Sequence, residues 1–479
     1  MSVLKNFTYN SILTISSYLV SFIIFPYISR ILGVSNIGIV GFVDNTINYF
    51  VIFATLGINT VGIRSIAACG NDKEKRSHVF SVLFLWSIIF TVTVCIIYII
   101  AVTTIPKLSV HKELFYIGLA KLFFTPFLIE WFYIGIENFK YITIRSMIIK
   151  ILYALSIFIF VKQVDDCAVY FFLTSLVIVI NSLINIYYSK NFISLRLTNL
   201  KLSYYSRQIF SLGIYQILIS MYTIFNVVYL GFVSNNKEIG YYYTALKLFI
   251  IIIGFYTAFT SVMLPRMSSL LAEDNKDAFN QMINKSFDAL LTFSIPILIG
   301  GTILAPQIIM ILSGKGYEGA ILPMQIMMPL LLVVGIAQIN SNQVLLPMRK
   351  DKVLLIITPL VACVGLSLNF LLVSKFAAVG TAVVYFLSEC TGAGLGIIYS
   401  IKNKLLVFPV KTFIINTLYS VPYVLICWGI TQMNLTSINT LIIAIMICLL
   451  YFVFVQFICI KNKMLINIAN STLSQLKIS

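Results

Sequence analysis

IGIVGFVDNTINYFVIFATLGINTVGIR, residues 37–64, decides how this chain is read, because a counterpart, IGYYYTALKLFIIIIGFYTAFTSVMLPR, returns at residues 239–266. At a constant offset of 202 positions Gly38 falls on Gly240 and Arg64 on Arg266, with no gap between them. The preceding segments agree at the same offset: Lys5 falls on Arg207, Thr14 on Gln216 and Ser21 on Thr223. Each copy holds an apolar stretch of membrane length with polar groups along one face. Repeats of this kind build many membrane transporters.

Composition sets the class. The 479 residues are 60% hydrophobic and only 10% charged, with a mean hydropathy of +0.99. Apolar runs of 18 or more residues recur throughout, each long enough to cross a hydrocarbon layer of roughly 30 Å. A large soluble helical protein does not need such runs. The net charge of +17 does not indicate nucleic acid, since the basic residues lie between the apolar runs rather than in one patch interleaved with aromatics. Of the eight cysteines, Cys95, Cys363, Cys390, Cys427, Cys448 and Cys459 sit inside apolar runs and none forms a metal-type pair, so they read as reduced, small hydrophobes. No metal site is expected, and the first apolar run, lacking a small-residue cleavage site, reads as a retained span.

The spacing predicts an all-α integral membrane protein of fourteen helices, near 8–31, 37–63, 79–103, 112–136, 141–162, 168–188 and 207–231, then 239–264, 286–304, 321–346, 353–374, 378–399, 411–430 and 438–460. Short alternating segments that would make a β-barrel are absent. The repeat divides the chain into an N-lobe of helices 1–6 (1–188), a cytoplasmic linker (189–206), a C-lobe of helices 7–12 (207–399), and helices 13–14 with a cytoplasmic tail (400–479). Six helices precede the linker, so both copies start in the same orientation: a parallel repeat about an axis along the membrane normal. Alternate connections carry 22 and 7 Lys or Arg. That bias places both termini in the cytoplasm. Helices 13 and 14 lie outside the repeat and read as an added wall or a lipid groove.

Polar residues recur at helical spacing. Asn10, Thr14, Ser17 and Ser21 share one face of the first span; Gly41, Asp44, Asn48, Thr55 and Asn59 continue in the second; Gly213, Gln216, Ser220 and Thr223, then Lys247, Gly254, Ala258 and Ser261, do so in the second copy. Small and polar residues also hold membrane helices together, so the charges carry more information. A charge at mid-membrane is unfavourable by about 2.5–3.5 kcal/mol on insertion scales and must face protein or water. The candidates are Arg30, Asp44, Lys121, Glu130, Arg145, Lys150, Lys247 and Glu389. Arg30, Glu130 and Arg145 lie near span ends, where snorkelling to the interface is an alternative. For Asp44, Lys121, Lys150, Lys247 and Glu389 the alternative is an ion pair between helices. Five cations against three anions suit an anionic ligand, because lysine and arginine hold phosphate by charge-assisted hydrogen bonds. A cation exporter would show the reverse. No Walker loop, catalytic carboxylate pair or His/Cys metal cluster accompanies them.

Pro26-Tyr27-Ile28-Ser29-Arg30-Ile31-Leu32-Gly33, the segment from Gly57-Ile58-Asn59 to Arg64-Ser65-Ile66-Ala67, Ile129-Glu130-Trp131-Phe132-Tyr133-Ile134-Gly135-Ile136-Glu137, and Gly240-Tyr241-Tyr242 with Ala245 and Lys247 together resemble the signatures of Wzx-type polysaccharide repeat-unit flippases. The resemblance spans the whole chain and extends to the superfamily of MATE drug exporters and the lipid II flippase. It implies movement of an undecaprenyl-pyrophosphate-linked oligosaccharide from the cytoplasmic to the outer leaflet of a bacterial plasma (inner) membrane, for O-antigen, lipopolysaccharide or capsule biosynthesis. It further implies contact with membrane lipids and, as partners, a polysaccharide polymerase and a chain-length regulator. Substrate-binding roles are then expected for Arg30, Lys247, Lys121, Lys150 and Asp44, and gating or coupling roles for Arg64, Arg266, Glu130 and Glu389. Asp44 departs from the neutral residue expected there and could pair with Arg30 or Lys247. No cofactor is implied; coupling to H+ or Na+ is left open.

The leading expectation is therefore a transporter, not an enzyme, working by alternating access through a cationic cavity. A MATE-like exporter of small molecules is the alternative. A polysaccharide polymerase or ligase is a third reading, disfavoured by short outside connections. The orientation predicts that cysteines placed at Lys73 and Lys350 are shielded from an impermeant thiol reagent in intact cells while one at Lys315 reacts; the opposite pattern would reverse the assignment.

Overall fold

Lipid offers a backbone no water to bond to, so a spanning chain must satisfy its amides within each segment. In the computed structural model every regular element among the described residues is a helix, and none is a strand. The described residues are 3–195, 200–433, 435–462 and 465–466; part of the linker (196–199), most of the tail, Lys463 and Lys477 among it, and the side chains of Lys5, Asn10, Ala258 and Ser261 lie outside what is described. By length and hydropathy ten of the helices can cross a membrane, or eleven if the pair Ser203–Ser220 and Phe225–Val233, bent by 50°, is one crossing.

Two of these helices are folded back on themselves. Val3–Thr55 runs for 53 residues, about 80 Å if straight and far beyond a bilayer core. It reverses at Gly33, whose φ of 73° and ψ of 167° are not helical and are open to a residue without Cβ. Ser21 and Asp44 consequently border one small cavity, although a straight helix would hold them about 34 Å apart. The second reversal is at Ala377 (φ 44°, ψ −120°) in Ser374–Lys402. There Gly365 meets Ser388 and Gly392 meets Val361, so 351–373 and 378–402 run against each other. The expected figure of fourteen differs from the tally above because it counts both arms of each hairpin, and Asn236–Ala272, as separate crossings.

Two spans that the sequence reads as continuous are broken. In Lys112–Gly135, Pro126 withholds an amide from the ladder, a short 3-10 turn follows at Thr125–Phe127, and Ile129 takes φ 36° before Glu130–Gly135 resumes. Between Ser220 and Phe225 no proline is present. There the Ser220 hydroxyl donates to the Ile217 carbonyl at 2.6 Å, the Thr223 hydroxyl to Ile219 at 3.0 Å, and the Asn226 amide to Tyr222 at 2.8 Å. Side chains that bond back to the ladder bend helices. Outside the membrane, Asp72 starts Lys73–Thr104 by accepting the Glu74 and Lys75 amides at 3.0 Å each. These bonds, that from Lys75 foremost, hold its carboxyl below the usual range.

The two copies of the repeat meet at equivalent positions. A Cβ on Gly38 would overlap the Asn236 carbonyl, and one on Gly240 would overlap the Val34 carbonyl. Only glycine at both positions allows the backbones this close. Around that crossing further hydrogen bonds tie this end of the molecule together. Arg30 donates to the Ile311 carbonyl, the Tyr317 hydroxyl donates to the Ser29 carbonyl at 2.8 Å, and the Lys107 ammonium donates to the Ser234 carbonyl at 2.9 Å. At the other end Gly57 packs on Ile209 and Gly213, and the Trp86 indole donates to the Leu202 carbonyl at 3.1 Å. The last helices, Val410–Leu418, Val421–Thr431 and Ser437–Val453, pack on Lys276–Ile303 and Ala305–Leu312.

Candidate functional site

Asp44, on the second arm of the Val3–Thr55 hairpin, is the centre of the intramembrane charges. Its carboxylate lies 2.7 Å from the Lys121 ammonium, which also donates to the Asn48 side-chain oxygen at 2.7 Å. Asn48, one helical turn from Asp44, closes the triangle by donating back to it at 3.2 Å. Helical spacing puts Asp44 and Asn48 on one face, and the Lys112–Phe124 helix brings Lys121 to them. Of the possible partners of Asp44, neither Arg30 nor Lys247 is within ion-pair distance of it; Lys121 is.

Lys247 borders the same small cavity of about 160 Å³ as Asp44, together with Tyr153, Tyr170, Thr174 and Ser21. No carboxylate among the described residues comes within ion-pair distance of it. Its ammonium instead stands 5.0 Å from the centre of the Tyr243 ring, one turn earlier in the same helix, where the π-face attracts a cation. Asp44 therefore has two lysines and one charge. With Lys121 neutralised, a positive charge remains at Lys247. Beyond Lys121 and Asn48 a second cavity, of about 530 Å³, is walled by Thr55, Asn59, Glu130 and Gln216. Its volume falls in the range of small-molecule sites, and it extends toward the end that the charge bias assigns to the cytoplasm.

The remaining candidates are dispersed. Lys150 donates to the Ser17 hydroxyl at 2.5 Å, and to the Ser16 hydroxyl and Leu13 carbonyl at 3.3 Å each; neutral acceptors hold it and leave its charge in place. Glu130 pairs with Arg145 at 2.6 Å, and Arg145, buried, also donates to Asn185 and Ser146 and sits over the Tyr141 ring. Arg30 lies exposed at the Gly38–Gly240 end, bonded to the Ile311 carbonyl and away from Asp44. Glu389 faces Tyr222 and Tyr385 and makes no ion pair among the described residues. Arg64 and Arg266 are both exposed. Arg64 borders a basin shared with Arg207, and Arg266 is not on its wall. No group of three metal-binding side chains occurs among the described residues.

The residues that sequence reasoning did not single out are the aromatic walls, Tyr153, Tyr170 and Tyr243. For Tyr243 a signal existed: it precedes Lys247 by four residues, the spacing that stacks a ring beneath an ammonium. Tyr153 and Tyr170 come from distant spans with no such mark.

Fold and hydropathy define a multi-pass, all-helical membrane protein. The chain belongs to the polysaccharide biosynthesis protein family, whose model matches residues 3–271. A protein of Escherichia coli (strain K12) named "Putative O-antigen transporter" is 27% identical over 423 residues, covering 85% of this chain and 99% of that protein. A Shigella dysenteriae protein of the same name is 24% identical over 383 residues, covering 78% and 94%. Among solved structures, the lipid II flippase MurJ in an inward closed conformation superimposes with a TM-score of 0.74 at 16% identity, covering 92% of this chain and 97% of MurJ. An inward-facing MATE-family multidrug transporter gives 0.62 at 17% identity, covering 81% and 93%. These relatives are named as transporters and flippases, not enzymes.

The geometry makes the Asp44–Lys121 pair a structural requirement separable from Lys247. Removing one partner of a largely buried pair costs about 3–5 kcal/mol because the other charge is stranded. Asp44→Ala and Lys121→Ala should each lower the Tm of the purified protein by several degrees, and the double neutral variant should recover most of the loss. Additive losses in the double variant would show that the two side chains do not act as a pair.

Proposed function

We propose that this protein flips a lipid-linked oligosaccharide, carried on a polyprenyl pyrophosphate, from the cytoplasmic to the outer leaflet of a bacterial inner membrane during surface-polysaccharide assembly. The observation that carries this reading is the positive charge left at Lys247 beside a cavity, after Lys121 has taken the one neighbouring carboxylate. An anionic diphosphate entering a low-dielectric cavity is attracted there, whereas a drug cation is repelled. The family membership and the O-antigen transporter relatives point the same way.

The lipid half of such a cargo needs an apolar path. An apolar cavity of about 850 Å³ lies among Leu19, Phe22, Ile251 and Phe259, and another of about 350 Å³ lies among Phe293, Leu304, Cys427 and Leu449. Both include Ile252, Phe293 and Ile297 in their walls, so a trough leads from the last two helices to the first span. In this reading the polyprenyl tail stays in that trough and in lipid, while headgroup and sugars pass between 1–188 and 207–399. Those two six-helix lobes alternate between an outer closure, here made at Gly38 and Gly240, and a cytoplasmic one. Glu389, which has no cationic partner among the described residues, is the carboxyl to which we assign coupling to H+ or Na+.

The test is complementation. Expressed in a bacterium lacking its own flippase for a compatible repeat unit, the full chain should restore surface polysaccharide. Lys247→Ala should abolish that at unchanged membrane protein level, Lys247→Arg should keep part of it, and Lys247→Glu should be worst. Wild-type activity in Lys247→Ala would sink the cationic-cavity reading. Resistance to cationic drugs without restored polysaccharide would favour the MATE-like exporter.

A further inference from the structure

The largest of the cavities described here is not the one at Lys247. It is a basin of about 1020 Å³ at the opposite end from the Gly38–Gly240 crossing, bordered by Arg64, Lys75, Arg207, Tyr204, Tyr205 and His78. Its walls come from three elements: Ile58–Ala68 brings Arg64, Lys73–Thr104 brings Lys75 and His78, and Ser203–Ser220 brings Arg207 with the two tyrosines. Lys75 already has Asp72 as a partner, at 3.4 Å. Arg64 and Arg207 have none: no ion pair among the described residues includes either. One carboxylate, Glu74, is on the wall against these three cations.

Arg64 and Arg207, which no ion pair among the described residues includes, border one concave space whose wall carries an excess of positive charge that an anion would offset. Guanidinium is planar and presents paired N–H donors that match the oxygens of a phosphate. Ser65, Gln208 and Ser211 on the same wall add neutral donors, and Tyr204 and Tyr205 border it as well. Arg64 belongs to the first copy of the repeat and Arg207 to the helix that opens the second. A ligand held by both thus spans the junction between the copies.

We propose that this basin is a phosphate-binding site, distinct from Lys247, in which Arg64 and Arg207 together hold the phosphate of a membrane-borne headgroup at the cytoplasmic face. The flippase reading bears only on where that phosphate comes from: the diphosphate of an arriving cargo lipid, or the headgroup of a bulk anionic phospholipid. The binding itself does not depend on that reading.

The experiment isolates the basin by using the full chain with Lys247→Gln, in phosphatidylcholine nanodiscs, titrated calorimetrically with inorganic pyrophosphate at low ionic strength. Saturable binding is expected. Adding Arg64→Gln or Arg207→Gln should weaken it about tenfold or more, the loss typical of one charge-assisted contact, and the corresponding lysine variants should retain part of it. Both arginines are exposed, so these variants should unfold at the temperature of the parent. Absence of saturable binding, or binding indifferent to both arginines, would overturn the proposal. Replacing part of the phosphatidylcholine by phosphatidylglycerol assigns the source. If pyrophosphate is displaced, the basin takes bulk lipid headgroups; if it still binds, the basin prefers a diphosphate. Because transport is not read out, loss of this site and failure of the flippase reading give different results.

Discussion

One carboxylate between two lysines is the constraint on which the rest of this structure depends. Asp44 lies in the middle of a membrane-length arm, where an unpaired charge would be costly. Pairing with Lys121 and bonding to Asn48 make it tolerable. The same pairing fixes Lys112–Phe124 against the first hairpin, so the pair is architectural as well as electrostatic. Lys247 approaches from the second copy of the repeat and finds the carboxylate already engaged. Its cation–π contact with Tyr243 supports the ammonium without neutralising it. Asp44, Lys121 and Lys247 together thus carry one net positive charge beside the cavity.

The close approach that places Lys247 there is set at the Gly38–Gly240 crossing. Gly38 and Gly240 are equivalent under the repeat and lie against each other's helices. Two arms that touch backbone to backbone at one end fix the register of everything below, and Asp44 lies six residues past Gly38 as Lys247 lies seven past Gly240. The hydrogen bonds from Arg30, Tyr317 and Lys107 lock that end. The larger polar cavities lie toward the other end. The two ends thus differ: one is closed by backbone contact and hydrogen bonds, and the other holds the larger polar cavities.

The helical class and the membrane-spanning character were legible in the residues because hydropathy is a local property of the chain. The break at Ser220–Phe225 was not: its cause is a set of hydroxyl and amide side chains bonding back to carbonyls, and the same residues elsewhere in the chain sit in unbroken helix. The identities of the buried charges were legible, but their partners were not. Asp44 and Lys121 are 77 residues apart, Glu130 and Arg145 occupy different helices, and a span apolar on nearly every side carries no periodicity from which its rotation can be read. Arg64 and Arg266, matched by the repeat, suggested a common gate; Arg64 instead shares its basin with Arg207, the counterpart of Lys5. A repeat fixes which residues are equivalent, not which of them meet.

The claim at the centre of this account is that the charge left at Lys247 is there for a diphosphate. The most direct measurement is a structure of the full chain with a polyprenyl diphosphate bound in a lipid nanodisc. A diphosphate oxygen is expected within about 2.7–2.9 Å of the Lys247 Nζ, with the Asp44–Lys121 pair intact beside it. A diphosphate bound elsewhere, with Lys247 still against the Tyr243 ring or turned to Asp44, would contradict it.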